Sequence, residues 1–234
     1  MKAVVIGGSG TIGKAIVQRL LDDGYEVIVQ YHRAEVSTLI RQFKGYPVQF
    51  VQCDLTASPQ YEELFQSIQN IDCLIYASGT ALYGQLQDTS DEEIDRCYRI
   101  HVRECIRVIR YFVDQLRMSE QGRIIVISSI WGETGASLET VYSSMKSAQL
   151  GFVKALSQEL AMTSVTVNAI SPGIVSGNMS TVWSDEELSA IVNELPQQRL
   201  IDPHEIAHTC AYLCHPMAKS VTGTVQKVNG AWYL

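Results

Sequence analysis

The sequence predicts an α/β fold: one domain built on a doubly wound parallel sheet with helices on both faces. The main observation is an alternation of short apolar runs, typical of buried strands, with longer amphipathic segments, typical of helices. A glycine-rich turn, Gly7–Gly13, separates the first strand from the first helix. With 234 residues, 46% hydrophobic and 18% charged, the chain can build one sizeable core and is too apolar to be disordered.

Strands and helices are predicted in a regular order. The predicted strands are residues 3–6, 27–29, 48–51, 73–76, 123–128, 165–170 and 225–228. The predicted helices are residues 12–23, a segment around 39–43, 61–68, 91–118 and 141–162, with one more in the C-terminal region. In the first helix Ile12, Ile16 and Leu20 share one face, and Gly24 follows where a helix C-cap favours glycine.

One longer insertion, residues 177–200, interrupts this order. Ser184 and Glu187 have the spacing of a capping box, which predicts a short helix within the insertion. Long insertions at the carboxyl ends of the strands are often lids, so we expect a substrate loop or lid here. A surface excursion without a role in binding is the alternative.

Composition and charge exclude several classes of function. The net charge of −7 argues against broad electrostatic binding of nucleic acid or of an anionic membrane. The apolar runs are too short for a membrane span or a signal-peptide core, and the six cysteines are expected as free thiols, so we expect a cytoplasmic protein. We predict no metal site, because the side chains of His208, Cys210, Cys214 and His215 would not converge on a helix.

The glycine-rich turn indicates a dinucleotide site and therefore a Rossmann fold. Gly8, Gly10 and Gly13 have the G-x-G-x-x-G spacing between a strand and a helix, which lets the backbone approach a pyrophosphate. The second strand ends in His32-Arg33 rather than in an acidic residue, which favours NADP(H), with Lys14 adding positive charge. NAD(H) stays open, because Glu35 could reach the ribose.

A second motif indicates acid–base chemistry. Tyr142 and Lys146 are four residues apart on a predicted helix, so they share one face. A neighbouring cation is expected to stabilise the phenolate and to lower the pKa of the tyrosine. Ser129 follows the predicted strand 123–128, where its hydroxyl would point into the cleft.

Together these motifs resemble the classical short-chain dehydrogenase/reductase family over essentially the whole chain. Further matches are Asp54 in Cys53-Asp54-Leu55, the serine strand from Gly122 to Ser129, and Asn168-Ala169-Ile170-Ser171-Pro172-Gly173. The resemblance implies catalytic roles for Ser129, Tyr142 and Lys146. It implies a cofactor site formed by Gly7, Ser9, Gly10, Thr11, Ile12, Gly13, His32, Arg33, Asp54, Leu55, Ala77, Gly79, Tyr142, Lys146, Pro172, Gly173 and Val175.

The resemblance is nearest to 3-oxoacyl-ACP reductase-like members. It implies reduction of a ketone by NADPH with Tyr142 as general acid, on a small carbonyl substrate or an acyl-carrier thioester. Arg103, Arg107 and Arg110 could form a basic patch for an acyl carrier, or an ordinary solvated helix face. A homodimer or homotetramer is implied. A non-catalytic NADP(H) sensor or scaffold is the competing function.

Three departures from the family pattern motivate that alternative. The usual Asn-Asn-Ala-Gly stretch reads Tyr76-Ala77-Ser78-Gly79. His101 stands where the family has a helix asparagine, so it is either a substitute proton relay or a half-buried structural histidine. Gly177 replaces a threonine that usually contacts the nicotinamide, with Ser176 or Ser180 as possible substitutes.

Overall fold

The computed structural model describes residues 1–177 and 184–233, and it confirms the predicted α/β architecture. The strands are β1 (Lys2–Ile6), β2 (Glu26–Tyr31), β3 (Val48–Gln52), β4 (Cys73–Tyr76), β5 (Arg123–Ile127), β6 (Thr166–Pro172) and β7 (Val225–Val228). They form one parallel sheet in the order β3-β2-β1-β4-β5-β6-β7. The order reverses between β1 and β4, which opens a crevice at the carboxyl ends of the strands.

Helices cover both faces of this sheet. They are α1 (Thr11–Asp22), α2 (Val36–Gln42), α3 (Tyr61–Leu64), α4 (Asp91–Tyr98), α5 (Glu104–Met118), α6 (Trp131–Thr134), α7 (Thr140–Glu159), α8 (Asp185–Glu194) and α9 (Pro203–Cys214). Among the described residues, no helix combines the length and the apolar character that crossing a bilayer requires.

The core consists of two apolar layers, one on each face of the sheet. Side chains alternate along a strand, so Ala3 and Val5 of β1 pack on one face with α1, α2 and α9. Val4 and Ile6 pack on the other face with α5 and α7. Burial on both faces explains why the strands are continuous apolar runs in the sequence.

Two of the predicted helices differ from the structure. The helix predicted over residues 61–68 ends at Leu64, although Phe65 and Ile68 remain buried, because the chain turns towards β4 through Asn70 at positive φ. The helix predicted over residues 91–118 contains a π-helical turn, Arg99–Arg103, between α4 and α5. The capping box of Ser184 and Glu187 is confirmed at the start of α8. Residues 178–183 of the predicted lid lie outside the described residues.

Candidate active site

The glycine turn after β1 has a shape that only glycine permits at two positions. Gly7 has φ +79°, and a Cβ on it would lie 2.7 Å from the Cα of Ser78. A Cβ on Gly13 would lie 2.2 Å from the carbonyl oxygen of Gly7. The buried side chain of Gln30, at the end of β2, holds the turn by accepting a hydrogen bond from the Gly7 amide at 2.8 Å.

This turn fits the pyrophosphate of a dinucleotide. Gly10 is the N-cap of α1 and offers no side-chain oxygen to the amides of the first helical turn. Those amides, with the positive end of the helix dipole, are the groups that bind a phosphate at a helix N-terminus. Ser9, Thr11 and Ile12 are partly exposed around the same turn. The residues predicted for the pyrophosphate therefore lie together.

At the end of β2 the two predicted basic residues occupy different environments. His32 Nε2 lies 3.5 Å from a carboxylate oxygen of Asp54, whereas Arg33 is exposed beside it. Burial raises the pKa of Asp54, but hydrogen bonds from Thr56 and the charges of His32 and Arg33 outweigh burial and lower it. Asp54 is thus ionised, and Arg33 is an exposed cation beside it at the end of β2.

Four other predicted cofactor residues, Ala77, Pro172, Gly173 and Val175, lie along the crevice. The Ala77 amide donates to the carbonyl of Ile6 at 2.8 Å, which places the segment after β4 beside the glycine turn. On the other side of the crevice, Pro172, Gly173 and Val175 line a cavity of about 610 Å³. Leu55 is buried. These positions are compatible with the predicted cofactor site.

Ser129 and Tyr142 meet in the wall of the same cavity. Ser129 follows β5, and its Oγ accepts a hydrogen bond from the Trp131 amide at 3.2 Å. Tyr142 lies in the first turn of α7, and the Ser129 side chain lowers the pKa of its phenol. Burial raises the pKa of Tyr142 above its ordinary value, and the effect of Ser129 only partly offsets this rise. The expectation of a lowered tyrosine pKa is wrong for this structure, because burial of the phenol dominates.

Lys146 lies one helical turn behind Tyr142. Its Nζ is 5.6 Å from the centroid of the tyrosine ring and donates to the carbonyl oxygen of Ile127 at 2.9 Å. Lys146 is 4% exposed, and burial lowers its pKa to about 8. The ammonium group is therefore aimed at the end of β5 rather than at the phenol oxygen.

His101 is fully buried within the π-helical turn, with its ring edge-on to that of Tyr142 at 5.3 Å between centroids. Its Nε2 is 2.9 Å from the carbonyl oxygen and 3.2 Å from the amide nitrogen of Thr80. Burial and the charge of Lys146 lower the pKa of His101 to about 3. An imidazole that stays neutral at physiological pH favours the structural interpretation of His101 over the proton relay.

Two residues that the sequence reasoning did not assign a role hold this turn. The Tyr76 hydroxyl donates to the carbonyl oxygen of Ile100, and the Gln149 side chain donates to that of His101 at 2.8 Å. A π-helical turn leaves carbonyls without their usual helical partners, so such captures stabilise it. Tyr76 in place of the family asparagine therefore has a structural function. The sequence signal for Gln149 is its position three residues after Lys146, on the same face of α7.

Trp131 and Glu139 also line the cavity, and neither was predicted. Trp131 begins α6 and contacts the rings of Trp232 and Tyr233 at 5.1 and 5.7 Å between centroids. Glu139 precedes α7 and lies three residues before Tyr142. That i, i+3 spacing was the available signal for Glu139, whereas Trp131 contacts the C-terminal segment, which is far away in sequence.

The basic patch suggested by three arginines is only partly present. Arg103 and Arg107 bind the fully buried carboxylate of Glu104, at 2.7 and 2.9 Å. The Tyr61 hydroxyl donates to the same carboxylate at 2.6 Å. Arg110 is exposed. Two of the three cations thus stabilise a buried acid, so they do not form a free surface for an acyl carrier.

Comparisons with known proteins agree with this geometry. Residues 7–231 match the family described as enoyl-(acyl carrier protein) reductase. The uncharacterized oxidoreductase YmfI of Bacillus subtilis is 36% identical over 99% of this chain and 98% of its own. The 3-oxoacyl-[acyl-carrier-protein] reductase FabG of Vibrio cholerae is 29% identical over 99% and 97%. A solved actinorhodin polyketide ketoreductase variant with NADPH has a TM-score of 0.91 and 30% identity, covering 99% of this chain and 96% of that one.

Proposed function

Because the chain belongs to the classical short-chain dehydrogenase/reductase family, we propose that it is an oxidoreductase that reduces a ketone to an alcohol with NADP(H). The observation that carries the proposal is that Ser129 and Tyr142 line the wall of the same cavity at the crevice. A 3-oxoacyl thioester is the first substrate class to test, since similar proteins are reductases of that class.

The proposed roles follow from the environment of each side chain. Burial keeps the Tyr142 phenol protonated, so it can donate a proton to a carbonyl oxygen that gains negative charge. The Ser129 hydroxyl holds that oxygen against the phenol, and the Lys146 ammonium places positive charge behind the ring. When bound, the nicotinamide supplies the hydride.

The preference for NADP(H) rests on Arg33. It is the exposed cation at the end of β2, while neighbouring His32 is close to Asp54. A 2′-phosphate would need this charge against a net protein charge of −7. We expect Arg33→Ala to weaken NADPH binding at least tenfold and to leave NADH binding nearly unchanged. Arg41→Ala, an exposed arginine on α2, is the matched control.

The proposal is tested by NADPH oxidation with an acetoacetyl thioester and a panel of neutral ketones. Turnover of at least one carbonyl supports the reductase. Binding of NADPH without turnover of any member of the panel would favour the sensor or scaffold. We do not favour that alternative, because Ser129, Tyr142 and Lys146 are all present and the Tyr76 departure has a structural explanation.

We also propose a homodimer or homotetramer, formed through the long helices α4–α5 and α7. The exposed apolar side chains Tyr98 and Ile106 on the first of these support this. Light scattering that gives the 26.0 kDa mass of one chain would contradict it.

A further inference from the structure

The described wall of the cavity that contains Ser129 and Tyr142 carries negative charge only. Its charged lining residues are two glutamates, Glu139 and Glu187, and among the described residues no lysine or arginine lines it. The rest of the lining is apolar or hydroxyl-bearing. The described lining residues therefore offer no basic partner to an anionic ligand.

Glu139 lines the same cavity as Ser129 and Tyr142. Its backbone carbonyl accepts from the Ser143 amide at 2.8 Å, so the residue is part of the start of α7. Trp131 lines the same cavity and lowers the pKa of the Glu139 carboxyl, and Trp131 in turn contacts the rings of Trp232 and Tyr233. Burial raises the pKa of Glu139, and its charge in turn raises the pKa of Tyr142. The carboxyl thus acts electrostatically on the proposed proton donor.

Two lysines on neighbouring elements, Lys227 and Lys146, make their contacts elsewhere. Lys227 pairs with Glu133 at 3.3 Å, outside the residues that line the cavity. Lys146 donates to the Ile127 carbonyl behind Tyr142. The second lining glutamate, Glu187, accepts hydrogen bonds from Ser184 in its capping box. None of these contacts places a positive charge against the Glu139 carboxyl.

We propose that Glu139 is a specificity-determining residue that selects neutral carbonyl substrates and rejects those with an anionic group beside the reacting carbonyl. This inference rests on the proposed ketone reduction and narrows its substrate class to esters, thioesters and neutral ketones rather than keto acids. Two like charges at roughly 6 Å in an effective dielectric constant of about 20 correspond to about 100-fold discrimination. The wild-type protein should show a preference of that order.

The test compares ethyl acetoacetate with acetoacetate, which share a ketone and differ in charge. The ratio of their kcat/KM values is measured with NADPH at about pH 7.5 for the wild type, Glu139→Gln and Glu159→Gln. Glu159 is exposed at the other end of α7, so its variant makes the same charge change away from the cavity. We expect the ratio to fall at least tenfold in Glu139→Gln, through a lower KM for acetoacetate, and to stay at the wild-type value in Glu159→Gln.

Each outcome has a separate meaning. A wild-type protein that reduces the ester, with an equal ratio in Glu139→Gln, overturns the role of Glu139 alone. A wild-type protein that reduces no carbonyl counts against the proposed function, and calorimetric binding of the two compounds in the presence of NADP⁺ then decides the inference. Tighter binding of the ester, with a smaller difference in Glu139→Gln, supports it. Equal binding of both compounds to the wild type refutes it.

Discussion

The neutral, buried His101 should make the protein less stable in acid. Its pKa in the folded protein is about 3, below the ordinary value of 6.5. The unfolded chain therefore binds a proton at this position as the pH falls through about 6.5, while the folded protein does not until about pH 3. The free energy of unfolding that depends on neutral His101 is fully present above about pH 7.5 and is lost progressively as the pH falls below it. At about pH 5, which is about 1.5 units below the pKa of His101 in the unfolded chain, the free energy of unfolding is lower by about 2 kcal/mol.

Urea unfolding at about pH 8 and about pH 5 measures this loss, at one protein concentration throughout. In His101→Asn the other titrating groups remain, so its unfolding free energy should fall by about 2 kcal/mol less than that of the wild type. His204→Asn, at an exposed position in α9, should behave like the wild type. An equal loss in the wild type and His101→Asn would refute the argument that His101 is held neutral by burial.

Three further predictions follow from single positions. Gly13→Ala should weaken cofactor binding at least tenfold in a fluorescence titration, because its Cβ would meet a backbone oxygen of the turn. By comparison, Gly151→Ala in the interior of α7 should raise the free energy of unfolding by about 0.5–1 kcal/mol. Glu104→Gln should lower the free energy of unfolding by about 3 kcal/mol in chemical denaturation, because it removes a buried carboxylate bound by two arginines and a tyrosine. Exposed Asp114→Asn should lower it by roughly 0.5 kcal/mol, and an equally small loss in Glu104→Gln would contradict this prediction. The pKa of Lys146 is about 8, so its ammonium is lost above that pH and kcat for reduction should fall there; a constant kcat up to about pH 10 would show that this charge is not needed.

Much of the fold could be predicted because its signals are local. Each strand is an apolar run, Gly24 marks the end of α1, and the capping box of Ser184 and Glu187 starts α8. The π-helical turn around His101 could not be predicted, since Tyr76 and Gln149, which stabilise it, lie on other elements. The apolar period of a helix does not reveal one extra residue in a turn.

The positions of the candidate site residues could be predicted from motifs, whereas the pKa values that burial determines could not. Ser129, Tyr142 and the glycine turn lie along one crevice, as their spacing suggested. The pKa of Tyr142 depends on how deeply the phenol is buried, which spacing does not show. Trp131 contacts Trp232 and Tyr233, which are far away in the sequence, so no local pattern indicated its place in the cavity.

The central claim is that the buried Tyr142 phenol donates the proton in ketone reduction. The most direct measurement is kcat/KM for an acetoacetyl thioester in Tyr142→Phe, with NADPH binding measured on the same sample. We predict a loss of about 10²–10⁴-fold with NADPH affinity retained, while Tyr212→Phe, at a half-exposed tyrosine of α9, keeps the wild-type rate. A Tyr142→Phe protein that binds NADPH and reduces the thioester at the wild-type rate would contradict the claim.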